Sequence, residues 1–312
     1  MLSVVFATFN GKRTLPTMLE ALCRLEPPPG SFELIAVDNG STDVSIEVLQ
    51  SFADRLPLTI LEQPARGKNR ALNLGISRVR GDLVVFTDDD VVPREDWLVA
   101  LHRAAEERAQ ASLFGGTILP HWEIEPPHWL LNSAPLGVTY AITAPDIPSG
   151  PIFPGLIWGP NMMVRRAVLD AGHRFNENVG PSAGQYIMGS ETEFNIRIAQ
   201  HGCQTWFCPD AVVGHIIRDF QMTQEWVIRR GYRFGRNKCL QDTAAQTVAS
   251  PWLFNLANFP RWMVRKVIQD SIGGHLARAL GNEAAAVARL WDAAFYRGYI
   301  FQAQQLRTGQ SG

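Results

Sequence analysis

The sequence predicts an α/β protein in which helices cover both faces of a mostly parallel central sheet, followed by a mainly helical C-terminal region. Strand-like and helix-like stretches alternate four times early in the chain, a pattern typical of a parallel sheet. The strand-like stretches are short apolar runs such as Leu83 to Phe86, as expected for strands buried on both faces. Helix-like patterns dominate after Thr223, so the two ends of the chain differ in class.

Turn signals place the first elements. Asn10-Gly11 ends the first apolar run, and the stretch from Pro27 to Gly30 ends the helix after it. The polar segment from Asp38 to Asp43 closes the second strand and opens another helix. We therefore expect, in order, strand 2–8, helix 15–25, strand 32–37, helix 44–53, strand 58–61, helix 67–79 and strand 83–86.

The rest of the chain is less regular. Residues 120–156 contain eight prolines and two tryptophans with little periodicity, so we expect a substrate-facing insertion, or else a plain surface excursion. These elements define a first domain of residues 1–220 and a helical region of residues 221–312. The other elements that we expect are helices 95–109, 166–171 and 191–200 and strands 113–119, 205–207 and 211–217, together with a strand at 156–164 that has a turn inside it.

Composition limits the classes of partner. The net charge of −1 does not indicate a nucleic-acid partner, but residues 1–219 hold 17 Lys+Arg against 25 Asp+Glu, whereas residues 220–312 hold 12 against 5. The basic C-terminal part suits an anionic surface or a phosphate-bearing ligand, or is a solvated helical surface. The four cysteines form no CxxC pair and indicate reduced thiols in a cytoplasmic protein. No apolar run is long enough to span a bilayer, and the N-terminal run is expected to be a strand, not a signal peptide.

Acidic side chains follow two of the predicted strands. Asp38 ends the second strand, and Asp88, Asp89 and Asp90 end the fourth. Because parallel strands end at one edge of a sheet, we expect these carboxylates to converge there. Asp88 and Asp90 should point the same way, so that Mg²⁺ or Mn²⁺ could bridge them to a diphosphate, while Asp89 points away and is the more structural member. The alternative is a solvated acidic turn, in which Asp38 caps the next helix instead of binding a ribose or a base.

Basic residues follow the third predicted strand. Lys68 and Arg70 lie beside Gly67 near a helix start, where positive charge suits a diphosphate or an acid-lined pocket. Each could equally be a solvated surface cation. The sequence contains no glycine-rich phosphate loop of the dinucleotide-binding or Walker type, so those two kinds of nucleotide site lack their key feature.

A later helix start carries two acids. The helix macrodipole alone could explain Glu191 and Glu193. Arg197, four residues after Glu193, could pair with it and leave Glu191 free as a general base. His215 ends an apolar run and is either a packed core histidine or a ligand to a metal held by aspartates.

Four stretches, taken together, resemble the family 2 glycosyltransferases, which have the GT-A, nucleotide-diphospho-sugar transferase fold. The resemblance runs from Ser3 to about His215. It rests on Val4–Asn10, similar to the family's first strand and nucleotide-binding loop, on Val37–Asp43, similar to its "VDNGSTD" segment, on Thr87–Asp90 at the DXD position, and on Gly189–Phe194 at the "EDxEL" position.

The resemblance implies roles for individual residues. Glu191 would be the general base, and Asp88 would contact the ribose or the metal. Asp88, Asp90 and His215 would be the metal ligands for Mg²⁺ or Mn²⁺. The nucleotide-binding residues would be Thr8, Asp38, Lys68, Asp88 and Asp89, and the donor sugar and acceptor would lie at Trp158, Asn161 and Met162.

By this resemblance the first domain would be catalytic, and the protein an inverting, metal-dependent glycosyltransferase. It would move a sugar from a nucleoside-diphosphate sugar to a hydroxyl of a glycan or lipid-linked acceptor. A nucleotidyltransferase that makes a nucleotide sugar is one alternative, since it shares the fold and Asn10-Gly11-Lys12-Arg13 is a thin version of its basic loop. A non-catalytic sugar-nucleotide-binding protein is the other.

The sequence departs from the family pattern at three places. Ser190 stands where an acid usually precedes the base, and Ala71-Leu72-Asn73 replaces the usual "ARN". The second departure leaves the role of Arg70 open. The QxxRW motif is missing from the sequence, so a processive polymer synthase is not expected.

The basic C-terminal region suggests a separate hypothesis. Aromatic and basic residues together suit an interfacial helix, which would place the protein peripherally at the inner face of an anionic membrane. The alternatives are a helical subdomain packed on the core and a contact in a homodimer. The aromatic and apolar members are Trp252, Phe254, Phe259, Trp262 and Met263, and the basic members are Arg261, Arg265 and Lys266.

Overall fold

The computed structural model describes residues 1–182, 185–244 and 261–307. The described strands are β1 Leu2–Thr8, β2 Phe32–Asp38, β3 Leu58–Glu62, β4 Leu83–Asp88, β5 Val91–Pro93, β6 Ala111–Trp122, β7 Gly150–Pro151, β8 Met162–Arg165, β9 Gly180–Ser182, β10 Gln185–Ile187 and β11 Gln204–Ile217. The described helices are α1 Leu15–Leu22, α2 Ser45–Gln50, α3 Lys68–Ile76, α4 Trp97–Glu107, α5 His128–Ser133, α6 Leu136–Tyr140, α7 Arg166–Asp170, α8 Ser190–Gln200, α9 Gln224–Ala244, α10 Arg261–Ala279 and α11 Glu283–Arg307.

Nine of these strands form one mixed sheet. Its order is β3-β2-β1-β4-β8-β6-β11-β5, with β7 paired to β11. The first four strands in this order are parallel, and β8 then pairs antiparallel with both β4 and β6. The predicted α/β class is confirmed, and its parallel part is the alternating segment recognised in the sequence.

The strands of the parallel part are buried on both faces. In β1, Val4 and Phe6 belong to one apolar cluster, which includes residues of α1 and α4. Val5, which points to the other face, belongs to a second cluster that includes residues of α3 and α8. Successive side chains of a strand alternate between faces, so a continuous apolar run fills both clusters. Burial of each large apolar side chain contributes about 1.5–3 kcal/mol.

The register brings the ends of three strands to one edge. Thr8 at the end of β1 pairs with Asp38 at the end of β2, and Ala7 pairs with Asp88 at the end of β4. On the far side of the sheet, antiparallel pairing of β5 and β11 sets His215 opposite Val91, next to Asp90. The sheet therefore determines where the acids and the histidine lie.

Several predicted segments differ from the structure, among them the two strands expected at 205–207 and 211–217, which form the single strand β11. Residues 120–156, predicted to be irregular, contain the short helices α5 and α6 and a 3-10 turn at Pro154–Leu156. The turn predicted inside the strand 156–164 is a second 3-10 turn at Gly159–Asn161, and only β8 after it is extended strand. Proline and glycine in these turns interrupt the extended backbone that the apolar side chains favour.

The chain divides into two compact units. The larger contains Met1–His121, Tyr140–Ala183 and Ser190–Ile216, and the smaller consists mainly of the C-terminal helices together with Trp122–Thr139. The predicted domain boundary between residues 220 and 221 stays a prediction. No helix in the described ranges is sufficiently long and apolar to cross a bilayer.

Close helix packing holds the smaller unit together. At Gly235 of α9, an added side-chain carbon would overlap the carbonyl oxygen of Phe295 in α11. At Gly298 of α11, it would overlap the carbonyl oxygen of Tyr232. The two helices therefore approach backbone to backbone at positions where only glycine fits.

Candidate active site

The Lys68 ammonium group lies between two carboxylates at the end of the parallel strands. Its Nζ is 2.6 Å from Oδ1 of Asp88 and 2.6 Å from Oε1 of Glu191. All three side chains are partly buried, so solvent screens the contacts only weakly. Helix α3 begins at Lys68, which brings this side chain to the strand ends where Asp88 lies. The structure thus brings together three residues that lie far apart in the sequence.

The pKa values follow from this arrangement. Burial alone would lower the pKa of Lys68, but the Asp88 and Glu191 carboxylates raise it well above its ordinary value. Burial raises the pKa of Asp88, against the lowering effect of the Lys68 ammonium. Lys68 is therefore a permanent cation, and it is the charge that both acids share.

Glu191 sits at the start of α8, as predicted, but it is not free. It accepts a hydrogen bond from Lys68, which the sequence did not indicate. Its neighbour Glu193 pairs with Arg197 at 2.7 Å, as the four-residue spacing suggested. Gly159 provides the space for Glu191, because a side-chain carbon at Gly159 would lie 2.6 Å from its Oε1.

Asp90 and His215 form a second cluster near the first, which consists of Lys68, Asp88 and Glu191. Nε2 of His215 is 3.4 Å from Oδ1 of Asp90, and both side chains are largely buried. Nδ1 of His215 lies 2.6 Å from the carbonyl oxygen of Tyr140, so the hydrogen on Nδ1 is donated there and Nε2 faces Asp90. Burial would lower the pKa of His215, but the nearby Asp90 carboxylate raises it.

Asp89 has a different partner from those of Asp88 and Asp90. Its carboxylate accepts a hydrogen bond from the Thr8 hydroxyl. Gly11 lies directly beneath this contact, since a side chain there would overlap both partners. The Thr8 hydroxyl and the Asp89 carboxylate therefore connect the loop after β1 to the loop after β4.

The two carboxylate oxygens of Asp38 differ in their hydrogen bonding. Its Oδ2 accepts hydrogen bonds from the backbone of Gly40 and Ser41, at 3.1 and 3.0 Å. The carboxylate therefore stabilises the loop after β2; α2, which it was suggested to cap, begins later, at Ser45. Its Oδ1 is buried without a hydrogen-bond partner among the residues that the structure describes. A buried acceptor of this kind is costly unless a ligand donates to it.

A model of "Glycosyl transferase family 2" matches residues 3–171 of this chain, more than half of its length. The chain belongs to glycosyl transferase family 2. Membership of this family supports glycosyl transfer over the nucleotidyltransferase alternative.

Two curated relatives and one solved structure are similar to this family 2 glycosyltransferase. Glycosyltransferase AglE of Haloferax volcanii is 24% identical over 245 residues, covering 76% of this chain and 72% of the relative. Glucosyl-dolichyl phosphate glucuronosyltransferase of the same organism is 23% identical over 251 residues, covering 77% of each. The mannosyltransferase PcManGT from Pyrobaculum calidifontis, solved with GDP-Man and Mn²⁺, has a TM-score of 0.60 at 18% identity, covering 96% of this chain and 87% of that one. The structural likeness supports the GT-A fold.

Two residues expected at the donor site of this family 2 glycosyltransferase lie in its interior. Asn161 and Met162 have no exposed surface. Asn161 accepts a hydrogen bond from Trp97 and donates to the carbonyl oxygens of Thr117 and Ala211. Every polar atom of its side chain is thus used within the protein, which does not fit the predicted contact with a sugar. Trp158, in contrast, is only half-buried.

One residue beside the site, Asn39, was given no role from the sequence. Asn39 joins the loops after β2 and β3, because it donates to the carbonyl oxygens of Gln63 and Ala65 and accepts from Gly67. The sequence signal was available, since Asn39 lies inside the "VDNGSTD" segment. Arg70, whose role the sequence did not decide, forms an ion pair with Glu177 at 3.0 Å.

The described part of the family 2 glycosyltransferase contains no group of three His, Cys, Asp or Glu side chains that could hold a metal ion. Asp90 and His215 are close enough to act as a pair, while Asp88 is bound to Lys68. The Nδ1 contact of His215 leaves Nε2 directed at Asp90, the arrangement found where a histidine is oriented to bind a metal. A hard divalent ion often uses only one or two protein groups and completes its coordination with substrate phosphates. The residues present therefore fit such an ion.

Proposed function

We propose that this family 2 glycosyltransferase moves a sugar from a nucleoside-diphosphate sugar to an acceptor hydroxyl with inversion, using Glu191 as general base. The observation that supports this proposal is the Lys68 bridge. It joins Glu191, the candidate base, to Asp88 at the strand ends, with one ammonium group in contact with both. A base is thereby held beside the edge of the sheet where α/β proteins bind nucleotides.

The nucleotide would lie against the loops after β1 and β2. The unpaired Oδ1 of Asp38 would accept an N–H or O–H group of the nucleoside. The hydrogen bond between Thr8 and Asp89 would fix the loop after β1 against the loop after β4. Asp88 would lie toward the ribose. Lys68 would supply positive charge for the diphosphate.

The acceptor oxygen would attack the anomeric carbon while its proton passes to Glu191. The bond between that carbon and the diphosphate oxygen breaks, and the electron pair leaves with the nucleoside diphosphate. One base acting without a protein nucleophile gives inversion at carbon. A base of this kind contributes about 10²–10⁴-fold to the rate.

Asp90 and His215 would hold Mg²⁺ or Mn²⁺, with Asp88 as the further candidate ligand. When bound, such an ion stabilises the negative charge that develops on the leaving diphosphate. We propose a lipid-linked acceptor in preference to a free glycan, because the glucuronosyltransferase relative is named for a dolichyl phosphate substrate. With such an acceptor the protein would act at a membrane surface, and we propose the inner face. A homodimer stays a prediction.

Replacing Glu191 by Gln tests the base directly. We expect Glu191→Gln to lower transfer by about 10²–10⁴-fold, because the amide cannot accept the proton. Binding of UDP or GDP with Mn²⁺, measured by calorimetry, should be retained. Unchanged turnover, measured as nucleoside diphosphate released from a panel of UDP- and GDP-sugars with polyprenyl phosphate acceptors, would rule out Glu191 as the base.

A second change moves the base without altering its charge. In Gly159→Ala the new methyl group would lie within 3.0 Å of Oε1, Cδ and Cγ of Glu191, so the whole side chain of Glu191 must shift. We expect kcat to fall roughly 10²-fold, as for a small misplacement of a catalytic group, with nucleotide affinity unchanged. Gly150→Ala is the matched control, since nothing lies within 4 Å of its added carbon. Equal activity of the two variants would contradict the proposed position of the base.

A further inference from the structure

Helix α10 has two faces of different character. The inner face packs against α11, where Met263, Asp270 and Gly274 are buried and a side chain at Gly274 would overlap Leu290. The outer face carries an aliphatic residue at every fourth position, and these side chains are 39–75% exposed. We call this row the α10 stripe; it consists of Val264, Ile268, Ile272 and Leu276 of α10 and of Leu280, the first residue after the helix.

The four-residue spacing makes the stripe continuous. Side chains four residues apart on a helix lie next to one another, so the stripe runs the full length of α10. Trp262, which is half exposed, lies at the N-terminal end of the same helix. A contiguous exposed apolar surface of this kind marks an interaction site, because water is an unfavourable neighbour for it.

The charges of α10 indicate the partner. The helix contains four Lys and Arg residues and one acid, and that acid, Asp270, is only 5% exposed and lies 2.9 Å from Lys266. Arg261, Arg265 and Arg278 are exposed. The solvent-facing side of the helix therefore offers positive charge beside apolar surface, with no exposed carboxylate on the helix to oppose an anion.

We propose that the α10 stripe is the site at which the protein binds an anionic membrane surface. The aliphatic side chains would enter the boundary between headgroups and acyl chains, and the arginines would contact lipid phosphates. A second copy of the chain fits less well, because it would bring the arginines of two α10 helices together. Trp252, Phe254 and Phe259, which the sequence also suggested for membrane contact, lie outside the described residues.

The test is sedimentation of the full-length protein with vesicles. We expect binding to vesicles of equal parts phosphatidylcholine and phosphatidylglycerol and little binding to phosphatidylcholine alone. In Ile268→Glu/Ile272→Glu, the partition coefficient should fall at least about tenfold, because two apolar side chains no longer enter the membrane. Both positions are exposed, so the variant should fold, which thermal melting by circular dichroism checks.

A charge-matched control separates the stripe from net charge. Ile124→Glu/Leu131→Glu adds the same two negative charges at side chains that are also half exposed but lie outside α10. It should keep vesicle binding within about twofold of the unaltered protein. Equal loss in both variants, or no binding by the unaltered protein, would overturn the proposal. So would a dimer, detected by analytical ultracentrifugation, that the stripe variant dissociates while vesicle binding is absent.

Membrane binding by α10 is independent of the proposed transfer reaction. The sedimentation experiment uses no sugar donor, and none of its substitutions touches Glu191 or the strand-end acids. Glu191→Gln should therefore sediment like the unaltered protein, so that failure of either proposal can be recognised separately.

Discussion

Two clusters of ionisable side chains lie at the ends of the sheet strands, and their acids have different partners. In the first, Lys68 of the protein itself lies between Asp88 and Glu191. In the second, Asp90 faces Nε2 of His215, whose other nitrogen is held by a backbone carbonyl. The first cluster is complete without a ligand, whereas the second presents an oxygen and a nitrogen that an external cation can share. Acids two residues apart thus have different partners because different strands and helices reach them.

The largest effect expected from this difference is that of removing the internal cation. Lys68→Met leaves Asp88 and Glu191 partly buried with no shared counter-charge, so their mutual repulsion acts in the folded state. We expect a loss of roughly 3 kcal/mol in the free energy of unfolding, as when one partner of a buried ion pair is removed. Transfer should fall roughly 10²-fold, because Glu191 is no longer positioned. Urea unfolding and initial rates of nucleoside diphosphate release measure the two effects.

A small effect of Lys68→Met on stability or rate would contradict the role proposed for Lys68 in the first cluster. If Lys68→Met unfolds at the same urea concentration as the unaltered protein, the two carboxylates are stable without the lysine and the bridge is not structural. If rates stay unchanged as well, the base does not depend on Lys68 for its position. The contacts of Lys68 would then not account for how Glu191 is held.

Changing the acid of the second cluster should remove the effect of Mn²⁺ on nucleotide binding. In Asp90→Asn, we expect loss of the Mn²⁺-dependent part of nucleoside diphosphate binding. When free nucleotide exceeds its dissociation constant about 100-fold, binding stabilises the native state by about 2.7 kcal/mol, which thermal unfolding with and without Mn²⁺ can detect. Asp89→Asn is the matched control, since Asp89 bonds to Thr8. A normal Mn²⁺ response in Asp90→Asn would exclude Asp90 as a ligand.

Much of the fold could be predicted from the sequence because the parallel strands are buried on both faces. A continuous apolar run that ends in acids, such as the one before Asp88, is typical of a central parallel strand in a chain that alternates strands and helices. The convergence of Asp38 and Asp88 followed from the same rule, since parallel strands end at one edge. The register of β1 with its two neighbours confirms this expectation.

The site was harder to predict because its contacts join distant segments. Glu191 was expected to be free, since within its own helix Arg197 is satisfied by Glu193. Its actual partner, Lys68, lies 123 residues earlier, and no local spacing reports such a pair. Asn161 was expected at the donor site by resemblance to the family, but β6, β11 and α4 surround it and use all its hydrogen-bonding groups.

The smallest effect is expected from a second cation on the same helix. Arg70 lies two residues after Lys68 and also pairs with a glutamate from a later segment, Glu177, at 3.0 Å. Its side chain is 43% exposed and that of Glu177 42%, against 21% for Lys68, so water screens the pair. We expect Arg70→Ala to lower the free energy of unfolding by less than about 1 kcal/mol and to leave transfer nearly unchanged. If urea unfolding shows the same loss for Arg70→Ala as for Lys68→Met, burial does not explain the importance of Lys68, and the distinction between a completed cluster and an exposed pair fails.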